Sequence, residues 1–271
     1  MNKFISSYIQ SKYGIDVNNC SEEDLLKITE VSVSDVTGVH MYGNRERYDW
    51  DFSKLPNLRI IDCSYNYIDS INVSNNHLLE KFNWQGVRGN LSEPINLSGN
   101  PQLKRIIAGQ DGLIELDLSN NVELEDLNIF LNSSMRWIDL DKCINLKEIR
   151  LEGVNIPFVD LTHCGQLKIC DINYMNLYLQ KCDTFGDGYP RPLVFVNEDF
   201  DEEIIPQESR RQSYYTYYLI RTKANSPERS FLDNLKSRKE EFLSIPPDNY
   251  GRGVARKHYE LLEELKSFRN Q

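Results

Sequence analysis

"ELDLSNNVELEDLNI" (residues 115–129) reads as a strand, a turn and a second strand, with leucine or isoleucine at 116, 118, 124, 127 and 129. Alternation at 116/118 and again at 127/129 puts those side chains on one face and the residues between them on the other. The L-x-x-L-x-I spacing of 124–129 recurs along the chain. Its copies start at Val36, Leu58, Leu79, Leu103, Leu124, Leu146 and Leu167, in steps of 22, 21, 24, 21, 22 and 21 residues. A period of this length is the mark of a solenoid, in which one coil cannot bury its apolar stripe alone and does so against its neighbours.

Each copy supplies two segments with inward pairs. The first segments give Val39/Met41, Ile61/Cys63, Phe82/Trp84, Ile106/Ala108, Leu127/Ile129, Ile149/Leu151 and Cys170/Ile172. The second give Trp50/Phe52, Ile71/Val73, Ile95/Leu97, Leu116/Leu118, Ile138/Leu140 and Val159/Leu161. Two polar columns accompany them: Asn44, Asn66, Asp111 and Asn132 after the first segment, and Asn76, Asn100 and Asn121 after the second. A chain turning inside a stack leaves backbone N–H and C=O groups away from water, and an Asn amide both donates and accepts, so it can bridge a turn to the next coil. Cys143 and Cys164 take the matching later positions as small interior residues. No CxxC pair exists, and Cys20 and Cys182 flank the array, so the six cysteines read as structural thiols and no metal is assigned. The column Asp51, Asn72, Asn96, Asp117, Asp139, Asp160 alternates with core residues and reads as a solvated face that discourages edge pairing; a weak cation stripe is the alternative.

"IDCSYNYIDSINVSNNHL" (61–78) and "LDLSNNVEL" (116–124) resemble the short, roughly 21-residue leucine-rich repeats of bacterial proteins of the internalin-like and Bacteroidetes type. "SEEDLLKITEVSVSDVTGV" (21–39) resembles the N-terminal cap of such arrays. The resemblance covers residues 1–180 and departs from the pattern where the Asn column becomes Val154 and Met175. It implies a curved solenoid with a parallel sheet on its concave face, used mostly to bind proteins. The fold class expected is therefore an α/β repeat solenoid, a right-handed leucine-rich-repeat coil. Its parts are a helical cap (1–35), about seven coils (36–180), capping strands and a loop (181–225), and a helical hairpin (226–271).

At the front, residues 3–13 and 22–28 read as helices. Ser21 and Asp24 form a capping box, and Phe4, Tyr8, Leu25, Leu26 and Ile28 are the cap contacts. After about residue 180 the period stops. "LVFV" (193–196) and "SYYTYYLIR" (213–221) read as strands able to close the core. Ser226-Pro227-Glu228 opens a helix, and a last helix carries Val254, His258, Leu261, Leu265 and Phe268 as one apolar stripe. That stripe packs on the solenoid or serves self-association.

The chain carries a formal charge of −10; residues 1–185 hold 26 acidic against 17 basic residues, and residues 186–271 hold 15 against 14. An acidic solenoid repels nucleic acid and anionic membranes and favours a protein partner that is basic. "MNKFISSYIQSKYGID" (1–16) has no apolar run of signal-peptide length and no stretch reaches a membrane span, which gives a cytoplasmic expectation. None of His40, His77, His163 and His258 has a nucleophile partner in a recognisable motif, and no cofactor is implied. "CDTFGDG" (182–188) bears only a faint resemblance to the Cys-x-Asp nucleophile motif of bacterial repeat-bearing ubiquitin ligases, since Asp183 follows Cys182 directly, and too few residues follow it for their catalytic domain.

The surface free to vary is the outward side of the first segments. It comprises His40 and Tyr42; Asp62 with Ser64 and Tyr65; Asn83 and Gln85; Arg105 and Ile107; Asn128 and Phe130; Arg150 and Glu152; Asp171 and Asn173, with Tyr174 beyond. Arg and aromatic side chains are the usual anchors of protein interfaces. The expected function is a non-catalytic protein-binding scaffold. The alternatives are an immunity- or antitoxin-type inhibitor of a basic toxin or enzyme, and an enzyme with Cys182, Asp187 and His258 at the junction of solenoid and C-terminal segment.

Overall fold

The computed structural model describes residues 1–37, 48–86, 91, 94–109, 112–173, 192–205, 218–246 and 252–270. Seven strands form one parallel sheet in the order β1 (Glu30–Ser32), β3 (Ile60–Asp62), β5 (Lys81–Asn83), β6 (Arg105–Gly109), β8 (Asp126–Phe130), β10 (Glu148–Glu152) and β12 (Ile169–Asn173). On the opposite side, β2 (Tyr48–Asp51) pairs with β4 (Ile68–Asn72), and β7 (Glu115–Asp117) with β9 (Trp137–Asp139). There β11 (Phe158–Asp160), β13 (Leu193–Asn197) and β14 (Tyr218–Thr222) form a third ladder. All these pairings are parallel, as stacked coils require.

Register explains the core. Ile61, Phe82, Ile106, Leu127, Ile149 and Cys170 are consecutive partners across six strands, and all are buried. Cys63, Trp84, Ala108, Ile129, Leu151 and Ile172 form a second buried row behind them. Where Phe82 and Trp84 fall in one coil, their ring centroids lie 4.4 Å apart. The second segments close the core from the back with Trp50, Phe52, Val73, Leu97, Leu116, Leu118, Leu140, Val159 and Leu161.

The first coil differs from expectation. Its strand is Glu30–Ser32, with Val31 opposite Ile61, so Val31 and Val33 supply the inward pair in place of Val39/Met41. Ile28 holds the place that Leu58 holds in the next coil: Arg59 and Ile60 both donate to the carbonyl of Thr29. Two apolar-x-apolar pairs occur between 30 and 41, and spacing alone does not choose between them. The ordered cap chooses, because it delivers the chain to Glu30. Val39, Met41 and Asn44, with His40 and Tyr42, lie outside the described residues.

That cap begins with α1 (Lys3–Tyr13), whose N-terminal N–H groups are held by the Asn2 side chain and whose end is closed by left-handed Gly14. Its Ile5 and Ile9 are fully buried, and Phe4 stacks on Trp50. Then α2 (Glu22–Leu25) carries the Ser21/Asp24 capping box and ends earlier than expected; Leu26 is 45% exposed and seals nothing.

The back ladder continues where the sequence period stops. Val194 of β13 pairs with Val159 of β11, and Val194 and Val196 join the solenoid core. The first segment leads to the second in 10 residues from Ile149 to Val159, but in 24 from Cys170 to Val194, and this longer connection hides the repeat from a spacing count. On the outer face of the last back strands, Trp137 of β9 and Phe158, Leu193, Phe195 and Ile220 of the third ladder form a second core with three helices. These are α3 (Pro227–Lys236), α4 (Lys239–Leu243) and α5 (Arg252–Arg269). Phe231, Leu232, Leu235, Phe242, Leu261 and Leu265 supply the helical side of that core. The helices thus lie on the back of the last coils, and His258, Leu261, Leu265 and Phe268 of the α5 stripe proposed for self-association pack within the chain.

In the first polar column the bonds of Asn66 are defined, and Asn44 and Asp111 lie outside the described residues; in the second, those of all three Asn residues are defined. Asn66 donates to the carbonyls of Val33 and Cys63 at 2.7 and 3.0 Å and accepts from the N–H groups of Val36 and Thr37. Asn76, Asn100 and Asn121 each donate back to two carbonyls in or before the preceding coil's turn. The Asp51-to-Asp160 column is exposed at Asn72, Asn96 and Asp117, as a solvated face requires, is buried only at Asp160, and has a local role besides. Each Oδ1 accepts the backbone N–H two residues on, at Ser53, Ser74, Ser98, Ser119, Asp141 and Thr162, at 2.9–3.1 Å. These are Asx turns that end the second segment, a local reason for the residue type that a solvated stripe does not supply.

Candidate functional site

The sheet register builds the site. Asp62, Asn83, Ile107, Asn128, Arg150 and Asp171 are consecutive partners across six strands, one residue away from the buried row and on the opposite face. Above them Phe130 pairs with Glu152, and Glu152 with Asn173. The partial burial of Ile107, Asn128, Phe130, Arg150 and Asp171 follows from their lying side by side on a pleated sheet.

Arg105 sits one row lower than expected. Its strand partner is Asp126, and its Nε lies 2.8 Å from Asp126 Oδ2. Burial holds the Asp126 carboxyl above the usual carboxylate range, against the pull of Arg105. In the next strand Arg150 NH1 lies 2.8 Å from Glu148 Oε2. Asp126 and Glu148 are thus site residues missed by taking two outward positions per coil; extending the alternation one residue towards the N-terminus finds them. The same row places Glu30, Ile60, Lys81 and Ile169 on this face, so Glu30 and Ser32 stand where His40 and Tyr42 were expected.

Other expected residues have local duties. Asp62 and Asn83 accept the N–H groups of Ser64 and Gln85 at 3.0 and 3.1 Å. Gln85 Nε2 donates to the Tyr65 hydroxyl at 2.9 Å. Asn173 lies in β12 opposite Glu152, and Tyr174 is outside the described residues.

Away from the sheet, the oxygens of Asp141 and Asp160 and a ring nitrogen of His163 converge closely enough to suggest a cation site. The Lys236 ammonium already lies there, bonded to Asp141 and 3.1 Å from Asp160. Burial opposes the lysine's charge, but hydrogen bonds to both carboxylates outweigh it and hold its pKa above the ordinary value. The cluster reads as a clip fastening α3 to the solenoid. A cavity of about 360 Å³ behind the third and fourth coils is lined by Leu91, Pro94, Leu113, Ile114, Glu115 and Leu243. Its Glu115 carboxylate is paired with Lys239 at 2.9 Å.

His258, the residue offered for catalysis, is fully buried, and its Nε2 is 2.9 Å from the Ile156 carbonyl, so that nitrogen carries the proton and donates. Cys182 and Asp187 lie outside the described residues. Burial pushes the His258 pKa from 6.5 down to about 4, with the carbonyl bond resisting. The neutral form is therefore the one that folds. Its contribution is complete above pH 6.5 and is lost as pH falls towards 4, by about 1.4 kcal/mol per pH unit. Urea unfolding at pH 7.5, 6 and 5 is expected to show this slope in the wild type and a shallower one in His258→Gln; equal slopes would mean the imidazole titrates freely in the folded chain.

No family model matches the chain, and no curated protein matches it. Among solved structures, the functional domain of InlJ from Listeria monocytogenes, described as including a cysteine ladder, is similar at 18% identity and a TM-score of 0.47, over 59% of this chain and 37% of that one. The match spans little more than a third of the InlJ chain. Internalin C2 from Listeria monocytogenes str. 4b F2365 is similar at 15% identity and a TM-score of 0.29, over 61% of this chain and 89% of that one.

Proposed function

We propose that this leucine-rich-repeat solenoid is a non-catalytic scaffold that binds a protein partner on its seven-stranded sheet face. The observation that carries the reading is the contrast between two adjacent rows on the same strands. The inward row is Ile, Phe, Ile, Leu, Ile, Cys; the outward row is Asp, Asn, Ile, Asn, Arg, Asp. Packing constrains the first to apolar residues. The second mixes acid, amide, apolar and guanidinium groups at fixed spacing of about 4.8 Å, which is a pattern a partner can read. Phe130, Arg105 and Arg150 supply residue types that dominate binding energy.

A narrower version, an immunity-type inhibitor of a basic toxin or enzyme, draws on the acid excess of residues 1–185. A cytoplasmic, reducing location belongs to the same proposal and is supported by Cys20, Cys63, Cys143, Cys164 and Cys170 being free thiols.

The test is capture of a stoichiometric partner from host lysate by the immobilised protein. Changing Arg105, Phe130 and Arg150 together to Ala should weaken that partner's binding by roughly a hundredfold or more. Val122→Ala and Ile144→Ala, on exposed turns off the sheet, should leave it unchanged. Undiminished binding by the triple variant would remove the sheet face from the function.

A further inference from the structure

Among the described residues, the turns leaving five of the sheet strands each contain one residue with a left-handed backbone: Asp35, Tyr65, Gly86, Leu131 and Gly153. The N–H of the first four bonds the next coil at the same place each time: Asp35 to Ser64, Tyr65 to Gln85, Gly86 to Gly109 and Leu131 to Glu152. Glycine fills the column at Gly86 and Gly153, with φ of 66° and 65°. Tyr65 and Leu131 adopt φ of 58° and 51° with full side chains, a conformation unfavourable for both residue types.

These side chains are not hidden: Tyr65 is 40% and Leu131 42% exposed. Each lies over a glycine of the following coil. A Cβ at Gly86 would meet the Tyr65 ring at 2.5 Å, and one at Gly153 would meet Leu131 Cδ2 at 3.2 Å. Two strained, exposed apolar groups are therefore seated on bare backbone along one edge of the sheet. They are three coils apart, about 14 Å at one strand spacing per coil. Each has an exposed carboxylate in the neighbouring coil, Asp35 beside Tyr65 and Glu152 beside Leu131, and neither carboxylate has an ion pair among the described residues.

We propose that Tyr65 and Leu131 are the two anchors of the interface, and that their occupant is a basic protein segment presenting two apolar side chains, each next to a Lys or Arg. This rests on the sheet face being the binding face. Charge complementarity selects the occupant: the two carboxylates flank the two anchors, Asp35 one coil before Tyr65 and Glu152 one coil after Leu131, so they fit a segment whose basic residues lie outside its two apolar ones and repel acidic segments. The strain explains itself as well, because a residue chosen for stability at this turn is glycine.

Two measurements test this. Tyr65→Gly and Leu131→Gly should each leave Tm within about 2 °C of wild type or raise it, because relief of the left-handed penalty offsets the lost side-chain contacts. Ile144→Gly, at an exposed position without a left-handed backbone, should lower it. A fall in the first two as large as the third would mean the side chains serve stability and would overturn the proposal.

The second is panning a phage-displayed library of random peptides on the full-length protein. Enriched peptides should carry Leu or Phe next to Lys or Arg. They should lose at least tenfold in affinity on the Tyr65→Gly/Leu131→Gly double variant and on Asp35→Lys/Glu152→Lys. No enrichment, or full binding by both variants, overturns the proposal. If binding then falls on Arg105→Ala/Phe130→Ala alone, the sheet face stands without these anchors; if no variant matters, the binding-face reading falls with it.

Discussion

Replacing Arg136 with methionine is expected to remove roughly 3–5 kcal/mol of stability, the range for leaving buried polar partners uncompensated. Arg136 is 1% exposed. Its NH1 donates to the carbonyls of Ser133, Met135 and Asn155 at 2.8, 3.0 and 3.4 Å, while Nε and NH2 donate to Ile245 and Pro246 at 3.2 and 3.1 Å. One guanidinium therefore ties the turn after β8, the turn after β10 and the chain leaving α4. Methionine keeps most of the apolar volume but supplies no donor, so the loss reports the polar contacts. A chain of this size should melt on the order of 10 °C lower. The second core should loosen first, seen as faster hydrogen exchange in α3–α5 than in β6–β10. A loss below about 1 kcal/mol would mean that water reaches these carbonyls.

Cutting the Asn ladder is the second large effect. Asn100 Nδ2 donates to the carbonyls of Val73 and Asn76 at 3.0 and 2.9 Å, and Asn121 Nδ2 to those of Leu97 and Asn100 at 3.2 and 2.9 Å. Asn100→Ala strands two buried carbonyls in the coil before it and opens a small void, at a cost of about 2–4 kcal/mol. Asn100→Cys should cost less, since Cys143 fills the equivalent slot two coils on, with Sγ 3.9 Å from the Leu118 carbonyl. The Asn100→Ala/Asn121→Ala pair should differ from the sum of its parts by 0.5 kcal/mol or more, because the two amides share one carbonyl-bridged stack. Additive losses in denaturant unfolding would show that the coils do not communicate through the column.

What the sequence revealed follows from where its period is unbroken. The coils from Leu58 to Leu167 carry the L-x-x-L-x-apolar spacing at nearly equal steps, so their inward pairs and Asn columns could be read directly. The first coil could not, because Val31/Val33 and Val39/Met41 satisfy the same spacing and only the docked cap decides between them. Continuation of the back ladder through Val194 was hidden by its longer connection. The helices are legible from Ser226-Pro227 and the 258–265 stripe, but not their seat on Trp137 and Phe158, since those aromatics share a strand face with Asp139 and Asp160, which reads as solvated. Likewise Asp126 and Glu148 were absent from the expected site because alternation fixes which face a residue takes, not how far along the strand the usable face extends. The left-handed turns at Tyr65 and Leu131 carry no local signal, since both residues are common elsewhere with negative φ.

On the proposed function, the sheet face, and not the helix-covered back, meets the partner. Hydroxyl-radical footprinting of the protein alone and with its captured partner tests this most directly. Labelling of Tyr65, Ile107, Phe130 and Leu131 should fall, with Val122, Ile144 and Tyr218 labelled as before. Protection confined to Val122, Ile144 and Tyr218, with Phe130 and Leu131 unchanged, would contradict it.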